Sequence, residues 1–426
     1  MNTSIAISKP NKFQNLFTFK KFLAINFITI ISWQSLSYGA NIGISLIYTY
    51  IGAFFLFHIP NLVLTKYLLK PNPEDASNNH NIIYLVHNKL NYFSNIALTF
   101  CTWFANVIGY PSGFAFILSN LAYTFNYHLS NKEYFIYVII LYLIMSLINV
   151  RGFKVSFKFI LSFSLVGVFA PMLLIVIYSF KYTFLHYDLV KAWLVNMQLT
   201  HPFSFKDINF GFILAIVMTI IGFEQTSLHM DEMAKHKFSF KKYHLFIASV
   251  MVMFFTIFMM LVLAYVTSTQ KIDPNYLISG TIISFFNIMH YPNLAKPFVI
   301  LFTLGEFGCT FAWMVHINRT FNATLLISKS AKIRSWGNNY TPQKLIKFEL
   351  VVFVLYYILL KIFPALETSV ILFNMSVQLS IAYYVILYLA ILKEKNLNKF
   401  ARIILFIGLI SSILGVICAF IPNTIL

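Results

Sequence analysis

Long apolar runs dominate the chain, and the short polar stretches between them carry most of its lysine and arginine. Hydropathy predicts spanning helices near 22–42, 44–69, 92–125, 133–150, 155–181, 207–230, 244–268, 293–317, 346–364, 366–391 and 400–421. With about eleven such runs the fold class is an all-α polytopic membrane protein. Two runs are not uniformly apolar. The first span passes through WQSLSYGANIG (33–43), rich in small and polar residues, and the sixth is interrupted at Gly222-Phe223-Glu224 within IIGFEQTSLHMDEM (220–233). Interrupted segments at corresponding places in two halves predict discontinuous helices 1 and 6 in a five-plus-five inverted repeat. The expected repeats cover about 22–181 and 207–391, forming a ten-helix core over 22–391. An N-terminal tail (1–21) precedes this core, and a loop with one accessory helix (392–426) follows it.

Composition agrees with that pattern. The 426 residues are 59% hydrophobic, 18% aromatic and only 10% charged, with a mean hydropathy of +0.75; a soluble domain carries about 25% charged residues. The net charge of +18 raises the question of a nucleic-acid partner, but its distribution answers it. Lys9, Lys12, Lys89, Arg151, Lys235, Lys344 and Lys395 all fall in segments that alternate to one side of the membrane. The positive-inside rule makes that side, with the N-terminus, cytoplasmic. The basic excess is therefore topological, the bilayer is the expected environment, and no nucleic-acid partner is expected. Cys101, Cys309 and Cys418 lie inside predicted spans, so no disulfide framework is indicated. The first apolar run is too long for a cleavable leader and reads as the first span.

Broken helices expose backbone groups that regular helices hide. N–H groups at a half-helix N-terminus hold a carboxylate and unpaired carbonyls accept from an ammonium, so an amino acid satisfies both. The residues expected to bind substrate are Trp33, Gln34, Ser35 and Ser37 at the first break, Gly222 and Phe223 at the sixth, and Asn106 and Tyr110 on one face of the third span. Glu224 and Glu306 are ionisable residues at membrane depth, which are functional by default, and are expected to carry or respond to protons. For Glu224 the alternative is a brace that caps backbone N–H groups or pairs with Lys158. For Glu306 the alternatives are a partner for a cationic substrate or a structural ion pair. Lys158 reads best as a lysine that snorkels to the interface, and Trp313 as packing or a gate.

GFEQTSLHMDEM resembles the sixth-helix signature of the amino acid–polyamine–organocation permeases, within them the bacterial glutamate/γ-aminobutyrate antiporter branch. Pro60 with Leu68, WFANVIGYP (103–111), Asn149-Val150-Arg151-Gly152, AWMVHINR (312–319) and NMS (374–376) resemble further helices of that family, in family order. The resemblance implies a LeuT-type core, alternating access and transport of amino acids or related amines, commonly coupled to protons or to exchange. It also implies a bacterial inner-membrane location. Twelve helices are usual in the family, so a last helix outside the core is expected to be missing here, with its oligomeric contacts in doubt. Glu306 favours a cationic or neutral substrate such as arginine, whereas the branch resemblance points to glutamate or γ-aminobutyrate.

Other function classes fit less well. His229, Asp231 and Glu232 lack the H-E-x-x-H arrangement of a metal site, and the chain shows no nucleophile–base set, P-loop or dinucleotide glycine pattern. No enzyme activity, metal or cofactor is expected, and the coupling ion is expected to be H+. The remaining alternative of another class is a membrane sensor that binds amino acids without transporting them.

Overall fold

The computed structural model describes residues 19–30, 45–68, 82–151, 153–188, 190–192, 195, 222, 224, 242–253, 257, 277–339, 341–362 and 369–418. Across these the chain is helical, with no strand among the described residues. The helices are α1 (Phe19–Ile30), α2 (Ser45–Ala53, a π turn Phe54–His58, then Ile59–Leu68), α3 (Ile82–Lys89), α4 (Tyr92–Thr124) and α5 (Asn131–Val150). Next come α6 (Phe153–Phe163, a π turn Ser164–Phe169, then Ala170–Leu185), α7 (Lys242–Met253), α8 (Leu277–Ile288) and α9 (Ala295–Leu326). The chain continues through α10 (Ala331–Asn338), α11 (Pro342–Ile362), α12 (Ser369–Leu392) and α13 (Lys399–Cys418).

Seven described helical stretches are long and apolar enough to cross a membrane, within α2, α4, α5, α6, α9, α12 and α13. The sixth predicted span, 207–230, lies outside the described residues apart from Gly222 and Glu224. The ninth is present as α11, but Lys344, Lys347, Glu349 and Lys361 make it more charged than the others. Three short helices, α3, α8 and α10, lie where hydropathy predicted loops. They have eight, twelve and eight residues, too few to span and so invisible to a test built on spanning length.

The spans are not equivalent in depth. In α9, 72% of the apolar window is buried inside the protein and in α4, 61%, against 28% in α5. Those figures make α4 and α9 the core and put much of α5 against lipid. The core helix α4 has no charged residue in its 33 positions. It approaches its neighbours at small residues, which in membranes let backbones pack closely. A Cβ on Gly109 would come within 2.9 Å of Ser376 Oγ on α12, and one on Gly113 within 3.2 Å of Thr310 Oγ1 on α9. Thr99 and Thr324 close the α4–α9 contact with a buried hydroxyl pair at 2.6 Å. The tightest crossing joins the π turn of α6 to α9, where a Cβ on Gly167 would overlap the backbone of Gly305.

Helix ends are set locally. Asn91 caps α4 by accepting from Ser94 N at 2.8 Å. Ser130 and Glu133 form a reciprocal capping box at the start of α5.

Candidate functional site

Gly222 and Glu224 stand where four helices meet. Gly222 has φ +117°, a conformation that a side chain resists. The space around it is closed as well, because an added Cβ would come within 3.1 Å of the Thr29 carbonyl near the end of α1 and 3.3 Å of Trp313 on α9. Its N–H donates to the Tyr384 hydroxyl on α12 at 3.1 Å. The interrupted sequence thus places a backbone conformation suited to glycine against the end of α1.

Glu224 is fully buried. Its Oε2 accepts from Asn61 Nδ2 on α2 at 3.4 Å, and its carboxylate lies against the Tyr384 hydroxyl. Tyr383 and Tyr388, also on α12, approach the same carboxylate. Three buried atoms here have no hydrogen-bond partner among the described residues: Glu224 Oε1, Asn61 Oδ1 and His58 Nε2. His58 ends the π turn of α2 one turn before Asn61, with 1% of its surface exposed. A narrow cleft runs beside them, bounded by Phe57, His58, Asn61, Tyr384 and Tyr388. Buried polar groups ordinarily find partners, so unpaired atoms around a cleft mark a place for water or a polar ligand.

The expected site residues divide among several places. Trp33, Gln34, Ser35, Ser37 and Phe223 lie outside the described residues. Asn106 is half-buried on α4 and its amide donates to the Thr102 carbonyl at 2.8 Å. Tyr110, one turn on, turns its ring to Tyr142 of α5 at 5.9 Å between centroids. Glu306 is buried on α9, near Cys309. It sits beside Gly308, where a Cβ would overlap Phe163 of α6 and Ile28 of α1. Lys158 is exposed while Glu224 is buried, so the alternative of an ion-pair brace between them fails. Trp313 packs at Gly222, nearer the site than a generic packing residue would be.

Sequence reasoning missed His58, Asn61 and Tyr384. A histidine and an asparagine three residues apart share a helix face, and inside an apolar run that pair was a usable signal. Nothing local distinguishes Tyr384 among the aromatics of its helix.

The whole length takes part in one similarity. The profile described as "Amino acid permease" matches residues 17–425. The chain belongs to that family. An uncharacterized transporter of Legionella pneumophila, lpg1691, is 22% identical to this permease over 416 residues, covering 93% of this chain and 88% of its own. Among solved structures, MhsT in complex with L-phenylalanine superposes with a TM-score of 0.55 at 11% identity, covering 95% of this chain and 99% of its own. A Na+-coupled sialic acid symporter in a substrate-bound outward-open state gives 0.56 at 14% identity, covering 94% and 88%. These likenesses establish the fold, that of the LeuT-type transporters, for a multi-pass permease.

Proposed function

We propose that this permease is a secondary active amino-acid transporter of the bacterial inner membrane that works by alternating access at the breaks in its first and sixth helices. The observation that carries the reading is the strained turn at Gly222, wedged against Thr29, Trp313 and Tyr384, with Glu224 buried one residue beyond Phe223. A turn of this kind leaves backbone polar groups free to meet a zwitterion at membrane depth. Backbone groups near Ser35 and Ser37 bind the substrate carboxylate in this reading, and those near Gly222 bind its ammonium. Asn106, Phe223, Trp33 and Gln34 shape the space for the side chain, while Tyr110, also expected there, faces Tyr142 of α5 instead. Family membership supports an amino acid as substrate, and the fold shared with a protein holding L-phenylalanine is consistent with it.

The coupling ion in this reading is H+. Glu224 meets the Tyr384 hydroxyl, the Asn61 amide and the backbone N–H groups of Gly222 and Glu224, with no described cation beside it; the hydroxyl can donate to the carboxylate or accept from the carboxylic acid by rotating. Glu306 adds a second buried carboxylate on α9 and favours cationic or neutral substrates such as arginine over glutamate. Uptake of a panel of radiolabelled amino acids into proteoliposomes, with and without an inward proton gradient, tests both parts. Saturable uptake stimulated by the gradient is expected, with arginine competing better than glutamate. Ligand-induced thermal stabilisation without flux for any member of the panel overturns transport in favour of a sensor.

A further inference from the structure

Glu349 is a third buried carboxylate, on α11 and far in sequence from both helix breaks. Two contacts fix its level. At one end Gln343 Nε2 donates to the Val150 carbonyl of α5 at 3.4 Å. Further along, Phe353 stacks on Tyr142 of α5 with centroids 4.2 Å apart and planes 7° from parallel. The two helices are therefore antiparallel, and Glu349, between residues 343 and 353, comes level with Ser146, between residues 142 and 150. From the other side Trp103 of α4 stacks on Phe348 at 5.7 Å, and Tyr110 of α4 leans on Tyr142.

The enclosed polar atoms are unusual in number. Both carboxylate oxygens of Glu349, Tyr110 Oη, Tyr142 Oη, Ser146 Oγ and Trp103 Nε1 are all buried without a completed hydrogen bond among the described residues. Trp103 lies beside Glu349, and Tyr142 beside Ser146, without the geometry that would join them. No charged group acts on Glu349 from either packed helix. Tyr110 is the titratable group facing it from α4 and Tyr142 the one from α5, and on α11 itself Lys344 and Lys347 are exposed.

A lone buried carboxylate needs a compensating cation. The indole N–H of Trp103 only donates, so it repels a metal ion and suits a carboxyl group with water. Three hydroxyls complete the ring, and a hydroxyl donates to a carboxylate or accepts from a carboxylic acid by rotating. Both protonation states are thereby accommodated. We propose that Glu349, ringed by Trp103, Tyr110, Tyr142 and Ser146, is a further, water-bearing proton-binding site that takes up and releases one proton independently of Glu224. Seven residues into α11, it lies about 10 Å from the helix start, close to the end that carries Lys344 and Lys347. Protons reach it from that face.

The test reads the carboxyl group directly and so does not depend on transport. Infrared difference spectra of the full-length protein between low and high pH are recorded in H2O and D2O, in sodium chloride and in choline chloride. A deuterium-sensitive carboxylic C=O band is expected that disappears in Glu349→Gln and persists in Glu224→Gln. Tyr142→Phe and Ser146→Ala, which keep the carboxyl group, are each expected to shift its frequency or titration midpoint. A band unchanged in Glu349→Gln overturns the site. If that variant does not fold, a spectrum unaltered by both hydroxyl deletions overturns it equally. Loss of the band on replacing choline by sodium at constant pH also overturns it, in favour of a metal cation. Absence of amino-acid uptake with the band intact rejects the transporter reading and leaves this one standing.

Discussion

Gly222 combines a φ of +117° with close contact on two sides. Adding a single carbon there brings backbone strain of roughly 1–3 kcal/mol together with crowding against the Thr29 carbonyl. Gly222→Ala is expected to lower the melting temperature in detergent and abolish uptake, and an unchanged melting temperature would show that the turn relaxes freely. Tyr384→Phe tests the opposite side of the turn. It removes the hydroxyl that accepts the Gly222 N–H, leaving a buried donor short of that partner at about 1–3 kcal/mol and taking one of several hydrogen-bonding neighbours from Glu224. Uptake is expected to fall with its pH dependence displaced, whereas a uniform fall with an unaltered pH profile would make Tyr384 purely structural. Glu224 was legible in the sequence because a carboxylate in an apolar run is conspicuous by chemistry alone. Its partners were not, because Asn61 is 163 residues away, and which of many tyrosines faces it is decided by how α2 and α12 rotate when packed. Glu349 was passed over for a related reason. It follows Lys344 and Lys347 closely enough to look like the charged edge of a span, and only burial distinguishes it.

At the scale of elements, two helices depart from regular α geometry at positions that matter. The π turn Phe54–His58 ends at the buried His58, and the π turn Ser164–Phe169 carries Gly167 onto Gly305. Such turns occur often at functional sites, and hydropathy cannot see them, because an inserted residue leaves an apolar run apolar. Gly167→Val places a branched side chain against the α9 backbone with no flexible atom to yield. Overpacking costs typically about 1–3 kcal/mol, so a lower melting temperature and aggregation on size exclusion are expected. Wild-type behaviour would mean that α6 and α9 separate more easily than their contact indicates. The short helix α3 gives a prediction with a defined sign. Burial, then the nearby Lys329, push the His87 imidazole below its usual value near 6.5. A group depressed on folding favours the folded state above its unfolded value and loses that contribution as pH falls through the folded one. The melting temperature is therefore expected to drop on acidification from about pH 7, and His87→Gln should flatten that drop. An identical slope in the variant would assign the acid sensitivity elsewhere.

The whole molecule has two ends that the described contacts identify without reference to hydropathy. One gathers Lys89 and Glu394, paired at 2.8 Å, Lys329 beside His87, and Gln343 against Val150. The other joins Lys181 to Tyr291 at 3.0 Å and includes the turn after α4. Because α4 has 33 residues, it covers about 50 Å, more than the roughly 30 Å hydrocarbon layer, so Asn91 and Phe125 lie on opposite faces. Most of the described loop lysines and arginines, Lys89, Arg151, Lys332, Arg334, Lys344 and Lys395 among them, belong to the first end. This is why a helical membrane fold with its basic residues gathered at one end was legible from charge and run length, while the short helices and the packing order of the spans were not. The positive-inside rule predicts that the first end faces the cytoplasm, an expectation with a direct test in the intact cell. Single cysteines replacing the exposed residues His128 and Lys395, in a background lacking the native cysteines, should react oppositely with a membrane-impermeant maleimide. His128→Cys is expected to label once the outer membrane is made permeable, and Lys395→Cys only after the inner membrane is opened. The reverse pattern would invert the orientation and move Glu349, with the basic end of α11, to the outer face. Its proton would then come from outside, and an inward proton gradient would act on it directly.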